Sequence, residues 1–181
     1  MRYFFLVITF LFMVISVTLL QASMNNVVGQ PFMTQVGVTL AKNEVEFPLD
    51  FNQRVTFVAY GFSRKCQTDF VSWMTPFKDR YMLNESIYFI EIPMMGPSFK
   101  WMKSVIERGM RSGIPKQNHA HIMTYFGKVD KFKQYYGFTK KDRGYFLLVD
   151  PQGMIVWQAE GPATDDALDQ LFLFIDNMVA N

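Results

Sequence analysis

Apolar positions change period several times along the chain, and each change marks an element. Val55 to Ala59 (VTFVA) and Ile87 to Ile92 are β-branched and aromatic runs that read as buried strands. Between them Phe70, Met74, Phe77 and Tyr81 recur at helical spacing over Thr68 to Tyr81, and Pro76 is expected to kink or interrupt that helix. Upstream, Val36 to Leu40 and Val45 to Phe51 are short extended candidates around Lys42-Asn43. Pro97 suits a first helical position, and Phe99, Met102, Val105 and Ile106 make one face up to Gly109. His121 to Tyr125 is a weaker strand, and Lys128 to Tyr136 is a short helix closed by Gly137. Tyr145 to Val149 and Met154 to Trp157 are strands joined by the turn Asp150-Pro151-Gln152-Gly153. The last helix opens on Thr164 as cap, with Asp165 and Asp166 against the helix dipole. It carries Leu168, Leu171, Phe172, Ile175, Met178 and Val179 on one face.

Strand, helix, strand, helix, hairpin and closing helix is the order of an α/β, thioredoxin-like domain: a central mixed sheet flanked by helices, its parallel strands joined by right-handed crossovers. A hydrophobic segment precedes it. Arg2 stands before an uncharged run from Tyr3 to Leu20, and Gln21-Ala22-Ser23 ends the run with small residues. The run lies at the border between an export signal and a spanning helix, which needs about 20 residues. Residues 1–23 therefore read as a signal peptide or signal anchor and 24–181 as the domain. A buried core helix is the alternative. Export places the domain in the cell envelope, in the periplasm or on the outer face of the inner membrane. A mitochondrial presequence would be amphipathic and rich in Arg, and this segment has one Arg.

Composition narrows the chemistry. Half of the 181 residues are apolar, enough for one buried core. Eighteen basic and sixteen acidic residues give +2, without the electrostatic footprint of a nucleic-acid binder. One cysteine, Cys66, excludes an internal disulfide, a Cys-x-x-Cys pair and a multi-thiolate metal site. His119 and His121 point the same way if their stretch is extended, so they either pair on a ligand or form a surface pair without metal. No cofactor is indicated.

Cys66 falls just after the VTFVA strand and opens the following helix. Helix N–H groups and the neighbouring Arg64 and Lys65 would stabilise a thiolate there, whereas a lone cysteine is otherwise a small buried hydrophobe. A second candidate surface joins Met94, Met95, Met102, Met110 and Met123 with Lys100, Lys103, Arg108 and Arg111. Flexible methionines beside cations suit a surface that receives apolar segments near a membrane; the other reading is core methionines and a solvated charged face.

The stretch Ala59-Tyr60-Gly61-Phe62-Ser63-Arg64-Lys65-Cys66 resembles the peroxiredoxin active-site loop, Pro-x-x-x-Thr/Ser-x-x-Cys, and Arg143-Gly144-Tyr145-Phe146-Leu147-Leu148-Val149-Asp150 resembles that family's arginine strand. The resemblance implies a one-cysteine thiol peroxidase or redox sensor in which Cys66 attacks peroxide, Ser63 holds it and Arg143 lowers the thiol pKa. Ala59 replaces the family's proline, and turnover would need an external thiol. Against thioredoxins proper, Ser63 falls at the first cysteine and Gly144 at about the cis-proline.

From about residue 55 onward the sequence also resembles the mitochondrial ATP-synthase assembly factor family, a thioredoxin-like group that chaperones the membrane-embedded proton-channel subunit. The match is carried by Val55 to Phe62, Trp73 with Pro76-Phe77, Tyr88 to Pro93 and Gly109 to Pro115. It continues through His121, Thr124 to Gly127, Gly144 to Trp157 and Gly161 to Thr164. The family usually shows Ile-Arg-Trp where this chain has Ile155-Val156-Trp157. This resemblance implies a non-catalytic assembly or chaperone protein whose partner is a hydrophobic membrane protein or membrane complex, with the mitochondrial inner membrane as an alternative address.

Overall fold

The alternation along the second apolar run decides the architecture. In the computed structural model, which describes residues 26–180, Val55, Phe57 and Ala59 face one side of a sheet and Val58 and Tyr60 the other, and every one is buried. A strand buried on both faces must be central. The strands are β1 (Gln35–Thr39), β2 (Glu44–Phe47), β3 (Val55–Gly61), β4 (Ile87–Met95), β5 (Met123–Phe126), β6 (Tyr145–Val149) and β7 (Ile155–Glu160), and they form one sheet in the order β2-β1-β5-β4-β3-β6-β7. β5, β4 and β3 are parallel; the remaining pairings are antiparallel. The expected mixed sheet with flanking helices is what the chain forms. The apolar leader expected over residues 1–23 lies outside the described residues.

Four helices cover the sheet: α1 (Gln67–Tyr81), α2 (Lys103–Gly113), α3 (Asp130–Tyr136) and α4 (Asp165–Val179). α1 and α4 cover one face, where Trp73, Phe77, Leu171 and Ile175 meet Phe57, Phe146 and Leu148. α3 covers the other with Phe132 and Tyr136, joined by Val27, Phe32, Phe47 and Phe51. α2 is different. It lies over β5 on the α1 face, where Thr124 donates to Glu107 at 2.7 Å, and Arg111 reaches the Leu40 carbonyl at 3.2 Å. It has no buried residue, and neither does the 3-10 turn Pro97–Met102 before it.

Several boundaries differ from the sequence expectation. α1 runs unbroken through Pro76, because Trp73, Phe77 and Tyr81 on its buried face outweigh the missing hydrogen bond. β2 stops at Phe47: Pro48 has no N–H to pair, and Leu49–Phe51 turns as a 3-10 helix. β4 extends to Met95 across Pro93, which stands opposite Gly61 at the last pair with β3, one residue before pairing with β5 begins at Met94. The helix expected from Pro97 to Gly109 is a 3-10 turn followed by α2, which passes through Gly109 to Gly113. Residues 121–125 are not one strand: Lys116–His121 is a 3-10 turn and β5 starts at Met123.

Two connections follow the reading. α3 ends at Gly137, whose φ of 71° lies in the left-handed region that favours glycine, and α4 begins at Thr164, whose side chain accepts from the Ala167 N–H at 3.3 Å. Ahead of β1, the segment from Val27 to Pro31 lies along β7. The Gly29 N–H donates to the Ile155 carbonyl at 2.7 Å, the Ile155 N–H to Gln30 at 2.9 Å, and Pro31 bridges Met154 in antiparallel sense.

Candidate functional site

Parallel strands β3, β4 and β5 all end at one rim, and the antiparallel β6 begins there, since Tyr145 pairs with Tyr60. The C-terminal rim of parallel strands is where α/β folds gather functional groups. Here the chain leaves β3 at Gly61 and turns through Phe62 and Ser63. Ser63 is extended, and its Oγ accepts the Lys65 N–H at 3.2 Å, capping the 3-10 turn Arg64–Cys66 that feeds α1. Arg64 and Lys65 are exposed, and Cys66 turns inward at 2% exposure.

The thiol is held by acceptors. Cys66 Sγ donates toward the Arg143 carbonyl at 3.1 Å and the Lys141 carbonyl at 3.4 Å, and Ser63 Oγ stands 4.0 Å away. The Cys66 N–H is already used by the Ser63 carbonyl at 3.2 Å. The fold therefore brings Ser63, Cys66 and Arg143 to one place, but Arg143 presents its carbonyl to the sulfur. Its guanidinium lies over Gly161, with one nitrogen 3.0 Å from where a Cβ would stand.

Beside the thiol, Asp69 organises the start of β6. Its buried carboxylate accepts the Gly144 N–H at 2.8 Å, and the Gly144 carbonyl in turn accepts the Gly161 N–H at 2.9 Å. Trp73 Nε1 donates to the Gly161 carbonyl at 2.8 Å. A Cβ on Gly144 would come within 2.8 Å of Phe146 and 3.0 Å of Asp69, so no larger residue fits without displacement. Asp69 was not singled out from the sequence. The signal was an acid in the first turn of a helix, which reads as an ordinary dipole partner; its backbone partner is 75 residues away.

The other candidates separate. His119 bonds the Ile114 carbonyl at 3.0 Å, while His121 bonds the Phe89 carbonyl at 3.0 Å and stacks on the Phe89 ring at 4.1 Å. Burial lowers the His121 pKa below its ordinary value, the Phe89 carbonyl working against that shift. Because their stretch is a 3-10 turn, the two imidazoles do not converge as an extended chain would place them. No group of three or more His, Cys, Asp or Glu is arranged for a metal ion among the described residues. The methionine cluster also divides: Met94 and Met123 are core, and Met95, Met102 and Met110 are half-buried. Of the associated cations, Lys103 and Arg111 pair with Glu107 at 3.8 and 3.5 Å, and Lys100 and Arg108 are exposed. A polar group inside the other core face also escaped the sequence. Tyr60 donates to Gln35 at 3.0 Å and Tyr136 accepts the Met33 N–H at 3.0 Å, burial holding both phenols far above their usual range.

Solved structures share this fold. A candidate protein disulfide isomerase from Bacteroides thetaiotaomicron aligns with a TM-score of 0.62 at 14% identity, over 90% of this chain and 96% of its own. The thioredoxin domain of a thiol-disulfide oxidoreductase from Bacteroides vulgatus gives 0.54 at 17%, over 82% and 97%. An exposed lipoprotein thioredoxin from Streptococcus pneumoniae gives 0.55 at 12%, over 78% and 99%. At such identities the likeness establishes the thioredoxin-like fold. No curated protein matches the chain. The sequence profile of the ATP10 proteins, by contrast, matches residues 31–177, so this chain belongs to the ATP10 family of ATP-synthase assembly factors.

Proposed function

We infer that the chain is a non-catalytic assembly protein that acts on the membrane-embedded part of ATP synthase, using a thioredoxin-like fold without dithiol chemistry. The observation that carries this reading is the environment of Cys66. Its thiol is buried with two backbone carbonyls within donor range, the Arg143 carbonyl nearer, an arrangement suited to holding the β6 approach in place. Membership of the ATP10 family supplies the setting, a membrane complex under assembly. The uncharged run from Tyr3 to Leu20 fits a protein kept at such a membrane, either in the bacterial envelope or at the mitochondrial inner membrane.

The competing reading is the one-cysteine peroxidase built on Ser63, Cys66 and Arg143. Replacing Cys66 with Ser separates the two. Under the assembly reading, cells carrying Cys66→Ser assemble ATP synthase as wild type does, and crosslinking in intact cells recovers a hydrophobic membrane subunit from detergent extracts. Loss of assembly with Cys66→Ser, together with stoichiometric consumption of peroxide by the purified wild-type protein, would favour the peroxidase. Recovery of soluble thiol proteins alone would also count against assembly.

A further inference from the structure

The rim that carries Cys66 also gathers cations. Arg64 and Lys65 follow β3, Lys100 follows β4, Lys128 follows β5, and Lys141 and Arg143 precede β6. Every one is exposed, and none is in an ion pair among the described residues. The acids nearby are partly spoken for. Asp130 is 3.9 Å from Lys133 and Glu160 is 3.2 Å from Lys140, which leaves Asp142 exposed among the cations. Asp165 and Asp166 stand further back, because Ala163 just before them bonds Ser72, more than a turn down α1 from the rim.

Apolar side chains are exposed within this charge. Trp101 is 82% exposed and Phe99 47%, both on the turn that leaves β4, and Val105 follows at 65%. Tryptophan and phenylalanine among lysines are the composition of a surface that lies in a bilayer interface, with rings at headgroup depth and ammonium groups on phosphates. The first described residues run along β7 beside this rim. Val27 bonds Gln158 and Pro31 bridges Met154, while β7 climbs from Ile155 to Glu160 at the rim. Asn26 is therefore the end of that segment nearer the rim, and the uncharged run Tyr3 to Leu20 precedes it in sequence.

We propose that this rim docks on an anionic lipid surface, with Phe99 and Trp101 seated in the interfacial layer and the lysines and arginines on headgroup phosphates. The inference deepens the assembly reading and rests on it for its setting, a membrane. Each exposed cation within a Debye length of anionic headgroups adds attraction that salt screens.

Trp101 is its own probe, since Trp73 is buried in the core and Trp157 is partly buried against it. The full chain is reconstituted into phosphatidylcholine vesicles and into vesicles that also contain phosphatidylglycerol, each with brominated acyl chains as quencher. The expected result is a blue shift and quenching that appear only with the anionic lipid, disappear in high salt, and are absent from Trp101→Phe. The pair Lys100→Glu and Lys141→Glu, checked for unchanged melting, loses the shift as well. Equal emission in both vesicle types, or a shift that survives the charge reversals, would overturn the proposal. So would an equal shift with lipid-free RNA, which would make the rim a nucleic-acid face. Crosslinking to the membrane subunit reads the assembly function separately: crosslinks without a lipid-dependent shift overturn the docking alone, and a shift without crosslinks overturns the assembly reading alone.

Discussion

α1 and α2 are both crossover helices on the same face of the sheet, and the fold uses them in opposite ways. α1 places Phe70, Trp73, Phe77 and Tyr81 against the central strands, with Trp73 5.4 Å from Phe146 and 5.3 Å from Trp157 between ring centroids. α2 buries none of its residues and is tied down by Glu107, Arg111 and their partners. One helix belongs to the stability of the domain. The other leaves Val105, and Phe99 and Trp101 on the turn before it, exposed, which is how a fold keeps a surface available for binding.

This contrast can be broken at measurable points. Trp73→Ala removes a ring that fills the α1 face and leaves the Gly161 carbonyl without its donor. Denaturant unfolding should show a loss of about 3–5 kcal/mol. Gly144→Ala, at the contact between β6 and α1, should cost about 1–3 kcal/mol because its Cβ overlaps Phe146 and Asp69. In α2 the same substitution has the opposite sign. Nothing lies within 4 Å of a Cβ at Gly109, and its backbone is helical, so Gly109→Ala should stabilise by about 0.5–1 kcal/mol. A destabilising Gly109→Ala would mean that α2 is packed as closely as α1.

A smaller effect depends on pH. His121 lies under the α1 face against Phe89, and its folded pKa is lowered from 6.5, first by burial. Below 6.5 the unfolded chain takes up a proton that the folded protein resists, so unfolding becomes easier as pH falls toward the folded value. Above that window the term is constant. Unfolding free energies measured on either side of 6.5 should fall on the acid side in wild type and fall less in His121→Gln. Equal slopes in the two proteins would remove His121 from the account.

How much of this was legible in the sequence followed from how local the cause was. The β6 run Tyr145 to Val149 is apolar on both faces and is bounded by Gly144 and Asp150, so its limits were readable residue by residue. Gly137 and Thr164 end and begin helices through their own backbone or hydroxyl, and they too were plain. That α1 continues through Pro76 is not readable locally, because the packing that holds its buried face comes from Phe57, Phe146 and Trp157, all distant in sequence. The site divides in the same way. The approach of Ser63 to Cys66 is set by a single turn. Whether Arg143 offers a guanidinium or a carbonyl to the sulfur depends on how β6 is entered, and Asp69 and Gly144 fix that by a bond no local pattern announces.

One further consequence comes from the two outer strands. Residues Gly29 to Pro31 lie along the start of the free side of β7, with backbone bonds to Ile155 and a bridge to Met154. At the opposite end β2 is four residues long, shows the exposed acids Glu44 and Glu46, and runs into Pro48. Both borders are shortened against an extended foreign chain, one by a strand-like segment laid over its start and the other by brevity, acids and a proline. These devices work against polymerisation through the sheet, and they shift the recognition of a partner toward side chains.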